Sequence, residues 1–400
     1  MLRLAWADLT HHKVRTLLSA LAVGIGIMLM LVSRGLASGS MAEVDQRIQS
    51  VDAELVVLPA QDNIIFTNGA PFRAIHERHL ARQADTDGPL AQTIIPVFFG
   101  QVKMAGQQQR LFGVDPAQMQ ACLGQRRLVA GKLFDRAYAF AERVRAGARP
   151  PEDMSDPAYH AYVADGLELV IDERLQRVGG YRVGDEIQIM GQVFRIVGVV
   201  EAGVAGRVFA PVQTLREIAV AGEPTASMYF IKLRKGVRAE RAVDAFQAAL
   251  GTDARVELKG DYGKLLRESF ASVGLYMDAS SGVALAACFL FILLTMYTMV
   301  IERTREIGIL KSLGVTRLDL LRLAVVQALL ISLSGVAVGI GLAYGVRVFI
   351  AVSRPLLTVE LAHGQLLLAA LVGVVGGTLS ALYPGYRAAR LDPAVALNTE

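Results

Sequence analysis

The sequence predicts a membrane α-helical protein with four transmembrane helices and a large α+β extracytoplasmic domain inserted between the first and the second. Apolar residues make up 53% of the 400 and the mean hydropathy is +0.40, with the excess gathered into runs at 17–33, 279–301, 323–346 and 366–386. Each run is long enough, at roughly 17 to 25 residues, to cross a hydrocarbon core of about 30 Å. The long interval between the first two runs reads instead as alternating strands, short helices and turns. Charge divides the same way. Residues 40–278 carry 28 Lys+Arg against 30 Asp+Glu, whereas the rest of the chain carries 13 against 7. The pI near 9.1 therefore belongs to the membrane segments and reads as topology, not as nucleic-acid binding.

The basic residues set the expected orientation. Arg3, Lys13 and Arg15 precede the first run, Arg303, Arg305, Lys311, Arg317 and Arg322 separate the second from the third, and Arg387 and Arg390 follow the fourth. Only Arg34, Arg347 and Arg354 flank the other side. By the positive-inside rule both termini face the cytoplasm and residues 41–278 lie outside the cytoplasmic (inner) membrane.

Taken in order, residues 1–16 place Leu2, Leu4, Trp6 and Leu9 among basic residues, the pattern of a cytoplasmic interfacial helix. The same stretch could open a secretory signal, with small residues at 35–39 for cleavage; Arg34 and the amphipathic 1–16 favour a retained span instead. Residues 17–40 form the first span and the start of a stalk, which 41–51 continue outward. In the outer domain, 53–58 read as a strand and 93–100 as another, followed by a hairpin of 101–104 with 110–114 around Ala105-Gly106. Residues 61–87 look irregular, and 136–164, with Pro150, Pro151 and Pro157, look like an insertion between strands.

The clearest unit is 167–200: a strand, a short helix over 172–178 ended by Gly179-Gly180, and a hairpin of 186–190 with 193–200 turning at Gly191. Strand 229–233, helix 239–250 and strand 254–258 add a βαβ-like unit, so the domain is expected to hold two subdomains. Residues 261–277 carry Leu265, Leu266, Phe270, Val273 and Tyr276 at helical spacing and lead into the second span (279–301), either as one long helix or with a kink near Ser280-Ser281-Gly282. The third span lies in 316–352 and the fourth in 361–386, with a cytoplasmic tail at 387–400. Gly335, Gly339, Gly341 and Gly345 in the third, and Gly373, Gly376 and Gly377 in the fourth, suit close helix packing within a bundle or across a dimer.

Between the second and third spans the chain turns abruptly charged. In 302–315, Glu302 with Arg305 and Arg303 with Glu306 are spaced to pair on a helix, while Ile307, Leu310 and Leu313 recur on one face. Gly314 stops the helix, and Thr316 with Asp319 begins the next in capping-box fashion. The stretch "ERTREIGILKSLG" resembles the coupling-helix signature of the MacB/FtsX-type ABC transporter permeases. The end of the chain, with Pro384, Arg387, Ala388, Ala389, Arg390, Asp392 and Pro393, resembles the same family's "P-x-x-R-A-A-R-x-D-P-x-x-A-L" tail. The strand pair over 185–200 resembles the family's outer-domain "GD-x-I" and "F-x-V-V-G-V" pattern.

The resemblance implies a permease subunit, not an enzyme, that couples ATP hydrolysis by a separate ABC ATPase subunit, two copies per complex, to movement of its outer domains. Glu302, Arg303, Arg305, Glu306, Ile307, Gly308, Leu310, Lys311, Leu313 and Gly314 would form the ATPase-docking helix, the three apolar residues in a groove and the charges at its rim. A second permease copy or a paralogue, and a periplasmic adaptor or outer-membrane partner, are further implied partners; ATP and Mg belong to the ATPase. Two outcomes stay open: export or extraction of a lipoprotein, lipid, peptide or small molecule at the outer face, or an FtsX-like transmission of conformational change to a partner such as a cell-wall hydrolase.

The residues themselves agree. No G-x-x-x-x-G-K-[ST] occurs in these 400 residues, and no span holds an ionisable residue near its centre, which disfavours a proton- or ion-coupled carrier. His76 and His79, three apart, are expected on a solvated helix and not as metal ligands. Cys122 and Cys288, one in the outer domain and one in a span, are expected to remain free. No cofactor or metal site is expected in this chain.

Overall fold

The computed structural model describes residues 13–60, 72–151, 156–269, 271–302, 304–312 and 315–390. The expectations for 1–12, for 61–71 of the stretch 61–87 expected to be irregular, and for the tail beyond 390 lie outside them; the rest of 61–87 is not irregular but holds a helix at Ala74–Ala81 and a short strand at Ala84–Asp85. The chain forms two compact units, Met41–Phe270 and the remainder. Helix α1 (Lys13–Gln49) is unbroken and contains the boundary between them.

The outer unit is built on one 10-stranded mixed sheet in the order β12-β1-β11-β4-β5-β10-β7-β9-β6, with β8 on β9. Its elements are β1 (Leu55–Pro59), α2 (Ala74–Ala81), the small pair β2 (Ala84–Asp85) and β3 (Gly88–Pro89), β4 (Ala91–Met104), β5 (Gln107–Val114), α3 (Met119–Leu123) and β6 (Leu128–Gly131). They continue with α4 (Arg136–Arg145), α5 (Pro157–Val163), β7 (Glu168–Asp172), α6 (Glu173–Gly179), β8 (Glu186–Ile189), β9 (Gln192–Val200), β10 (Val208–Pro211) and α7 (Val212–Val220). The last four are β11 (Met228–Leu233), α8 (Ala239–Leu250), β12 (Ala254–Leu258) and α9 (Tyr262–Ser269).

Strand β4 joins the two ends of the sheet. Residues 91–97 pair with β11 and 98–104 with β5. The β4–β5 hairpin turns at Ala105 (φ 50°) and Gly106 (φ 71°), and the β8–β9 hairpin at Met190 (φ 49°) and Gly191 (φ 80°). Two consecutive positive φ values match the right-handed strand twist, and glycine takes the second of them without a Cβ penalty. Strand β1 lies between β11 and β12 and is antiparallel to both, so β11, α8 and β12 make a split βαβ unit.

Alternation along β1 feeds two cores. Leu55 and Val57 join Phe246 and Leu250 of α8, whereas Val56 and Leu58 join Phe112, Phe209 and Phe230. The stretch 136–164, expected as an insertion, contains α4 and α5, whose Phe140, Tyr159 and Val163 form a small core of their own. Asp156 caps α5, its carboxylate accepting from the Ala158 amide at 2.8 Å, with Pro157 at the first helical position.

The membrane unit holds the long part of α1, then α10 (Ala271–Glu302), α11 (Thr304–Ser312), α12 (Arg317–Ser353), α13 (His363–Ser380) and α14 (Leu382–Arg390). Four helical stretches, Thr16–Gln49, Gly274–Glu302, Arg317–Ser353 and His363–Arg390, are long and apolar enough to span a membrane. Helix α10 passes Ser280-Ser281-Gly282 without interruption; whether α9 joins it falls on residue 270, outside the described residues. Small residues set the packing. A Cβ on Gly335 would lie 2.6 Å from Val23 Cβ, and one on Gly339 would lie 2.7 Å from the Gly24 carbonyl oxygen, so α12 meets α1 backbone to backbone. Gly373 faces Val336, Gly376 the Phe289 ring and Gly377 Ser332, while Gly341 and Gly345 face open space. Val23, Ile27 and Leu31 of α1, Ile292 and Met296 of α10, and Ala328 and Ile331 of α12 form the shared core.

Candidate coupling site

Helix α11 sits between α10 and α12 in the chain, and α12 begins with the capping box expected from the sequence. Thr316 Oγ1 accepts from the Asp319 amide at 3.3 Å, and Asp319 Oδ2 accepts from the Thr316 amide at 3.3 Å. Of the ten residues expected to dock, Arg303, Leu313 and Gly314, and the side chains of Arg305 and Leu310, lie outside the described residues. Glu302 and Glu306 are exposed and Ile307 is half-buried. Ile309, not among the ten, is 46% exposed on the outward side.

Two residues of the stretch are covered within their own unit. Gly308 is buried within this unit. Lys311 is half-buried, and its ammonium donates to the Ala389 carbonyl oxygen at 2.8 Å. The exposed surface of α11 is thus formed by Glu306, Ile309 and Ser312, its covered residues include Gly308 and Lys311, and Glu302 is exposed at the end of α10.

The second motif folds beside the first. In α14, Pro384, Gly385, Ala388 and Ala389 are buried. Proline lacks the amide that would continue the preceding helix, which accounts for the break at Ala381 between α13 and α14. A Cβ on Gly385 would come within 3.0 Å of Ala324 in α12. The Arg387 guanidinium lies 5.1 Å over the Tyr297 ring of α10, a cation–π contact.

The outer end of α1 is built into the sheet domain by a charge cluster that was not expected from the sequence. Arg47 donates to Glu43 Oε1 at 2.9 Å, to Asp172 Oδ2 at 3.3 Å and to the Val204 carbonyl at 3.1 Å. Arg207 donates to the same Glu43 oxygen at 2.5 Å, and Arg174 stands 3.6 Å from the other. Asp172 is fully buried and also caps α6 through the Leu175 amide at 2.7 Å. Burial pushes its carboxyl pKa up, opposed by that amide and by the Arg47 and Arg207 charges. The one local signal was the Glu43/Arg47 pair, four apart on the stalk.

Nearby, Ile48 and Val51 enter the larger core. Lys259 donates to the Gln49 and Val51 carbonyls at 3.2 and 2.7 Å, while Gln49 donates to the Lys259 carbonyl at 2.6 Å. The end of α1 and the entry to α9 are therefore tied together.

The histidines occupy the helix face the sequence suggested. His76 Nδ1 accepts from the Arg73 amide at 3.0 Å in the first turn of α2, and His79 lies with it in an open depression of about 550 Å³. Among the described residues no group of three His, Cys, Asp or Glu could hold a metal ion. Cys122 is fully buried, its thiol pushed up to about 12, and Cys288 donates to the Ala22 carbonyl inside the bundle; both are free.

A family model for the MacB-like periplasmic core domain matches residues 16–249, and one for the FtsX-like permease C-terminal region matches 279–393. The chain belongs to the MacB/FtsX-type ABC permease family. It is 24% identical over 98% of its length to the macrolide export ATP-binding/permease protein MacB of Bdellovibrio bacteriovorus, of which it covers 60%. It is 36% identical to the uncharacterized ABC transporter permease YknZ of Bacillus subtilis over 30% of each chain. Among solved structures it is similar to the periplasmic region of MacB from Actinobacillus actinomycetemcomitans, with a TM-score of 0.37 and 11% identity over 55% of this chain and 95% of that one. The chain thus spans about 60% of the length of its MacB relatives. Its family places it as a membrane permease, with the α/β domain lying outside the membrane between the first and second spans.

Proposed function

We propose that this permease converts ATP hydrolysis, carried out by ABC ATPase domains outside these residues, into movement of its outer domain. In this reading α11 is the docking helix on the cytoplasmic side, both termini share that side, and two permease copies, or this chain and a paralogue, act on two ATPases. ATP-driven closure displaces α11, and the long helices carry the displacement to the outer domain, where a substrate is exported or extracted without passing between the spans. MacB relatives are named for macrolide export; for this chain an amphipathic small molecule, peptide or lipid-linked substrate handled at the outer face fits that pattern.

The observation that carries the proposal is the outward surface of α11. Glu306 and the exposed apolar Ile309 are presented on a short helix between two spans, and Glu302 is exposed at the end of the span before it. The pattern of an apolar anchor inside a charged rim is that of a protein-binding surface. The chemistry of the spans points the same way, since they carry no central ionisable residue of the kind that marks an ion path.

The test is Leu310→Asp in the full chain, co-expressed with its ATPase. An anchor lost from a desolvated groove costs about 2 kcal/mol or more. The variant should therefore insert and fold normally yet lose co-purification of the ATPase and its stimulation. Normal assembly and ATP hydrolysis with Leu310→Asp would refute the docking role. Gly308→Leu is expected to act through the bundle, lowering the thermal stability of the permease itself.

A further inference from the structure

Two sequence motifs, 302–314 and 384–397, lie far apart along the chain, and the fold brings their described helices, α11 and α14, into contact. We propose that Lys311 is a positioning residue that locks α11 to the last turn of α14, making the two helices one mechanical element. This rests on the docking reading above, because it says where the force received by α11 goes next.

The geometry is specific. The last carbonyls of a helix have no intrahelical partner and carry the negative end of its dipole, so a lysine ammonium satisfies both needs at once. Ala389 is in the final turn of α14, and Lys311 Nζ reaches its oxygen at 2.8 Å across 78 residues of sequence. Lys311 is turned toward α14 and away from the exposed Glu306 and Ile309 of α11. The buried Gly308 lies on the same side of α11 as Lys311, one turn earlier.

From α14 the path divides. Arg387 lies over the Tyr297 ring, which is on α10, and Gly385 packs against Ala324 on α12. Helix α11 is joined covalently to α10 at its start and leads to α12 at its end, and α14 contacts both of those helices. A displacement of α11 is therefore delivered to the second and third spans together through α14, and not only along the chain at residue 303. The tail motif supplies small buried residues where α14 must seat closely, and an arginine where it must grip a ring.

The test uses the full chain in lipid nanodiscs, with spin labels on Ser312→Cys and Tyr383→Cys and with hydrogen exchange over 304–312. Both native cysteines are replaced by serine in every sample. Lys311→Met keeps the aliphatic stem and removes the donor; it should broaden the inter-label distance distribution and speed exchange of α11 amides by about tenfold, the scale of one charged hydrogen bond. Lys311→Arg should restore both. Arg387→Gln should leave the Ser312–Tyr383 distribution narrow while broadening one between Tyr383→Cys and a label at Thr298→Cys.

Co-purification with the ATPase separates the two roles open to Lys311. As a positioning residue, its loss leaves binding intact and salt-independent while uncoupling hydrolysis from outer-domain movement. An unchanged Ser312–Tyr383 distribution in Lys311→Met, together with salt-dependent loss of ATPase binding, would overturn the proposal and make Lys311 a rim contact. Loss of binding in Leu310→Asp but not in Lys311→Met is expected if both readings hold. Retention in both variants refutes the docking reading, and the label distances still decide the role of Lys311.

Discussion

Replacing Arg47 by methionine should loosen the outer domain where α1 enters it, by an amount set by what the guanidinium holds together. The substitution keeps much of the apolar stem and deletes the group that bridges Glu43, Asp172 and the Val204 carbonyl. Glu43 is left with Arg207 at 2.5 Å and Arg174 at 3.6 Å, so it stays compensated. Asp172, fully buried, retains the amide of Leu175 and the more distant charge of Arg207.

Breaking a buried pair by removing one partner costs about 3–5 kcal/mol. Asp172 keeps the Leu175 amide and the Arg207 charge as compensation, which favours the low end, about 3 kcal/mol. The readout is amide exchange of 168–179 in the full chain in nanodiscs, measured under conditions where exchange reports the opening equilibrium. At 1.4 kcal/mol per decade it should accelerate about 150-fold. Adding Asp172→Asn, which still accepts from the Leu175 amide but carries no charge, should recover most of that change. The bridging role of Arg47 is refuted if Arg47→Met accelerates exchange less than about threefold, or if the double variant is as unstable as the two single effects added.

Three further outcomes are expected. Burial raises the Glu217 pKa, so the folded state binds this proton more readily than the unfolded state, and the group's contribution to stability grows as pH falls through the interval between the two values. Glu217→Gln should therefore protect α7 amides from exchange relative to the native chain at neutral pH, with the advantage shrinking toward about pH 5; an advantage that widens in acid would refute the assignment. In the membrane unit, Gly335→Leu should lower thermal stability in detergent by overpacking against Val23, whereas Gly341→Leu, with nothing within 4 Å, should not; equal effects would contradict the α1–α12 contact. Finally, a cysteine at Ser312 should be shielded from an impermeant outside reagent and one at Ala60 should react, a result that reverses if the orientation is inverted.

Features written in neighbouring residues were legible before any fold was known. The spans follow from unbroken apolar runs, the hairpins at Ala105-Gly106 and Met190-Gly191 from turn chemistry, the α8–β12 pair from periodicity, and the start of α12 from Thr316 and Asp319. Each depends on interactions within a few residues, so the signal is local. Packing in three dimensions settled the rest. It turned Gly308 and Lys311 inward, joined Lys311 to Ala389 over 78 residues, and brought Arg47 to Asp172 over 125 and to Val204 over 157. It also shared β4 between the two ends of one sheet, and built helices α4 and α5 with a small core of their own in the stretch that read as an insertion between strands. Helical periodicity defines a face but not its neighbour, and a charged side chain carries no mark of its distant partner. Which side of α11 meets its own bundle, and which charge is buried with which, is set only when the helices pack and desolvation makes each unpaired group costly.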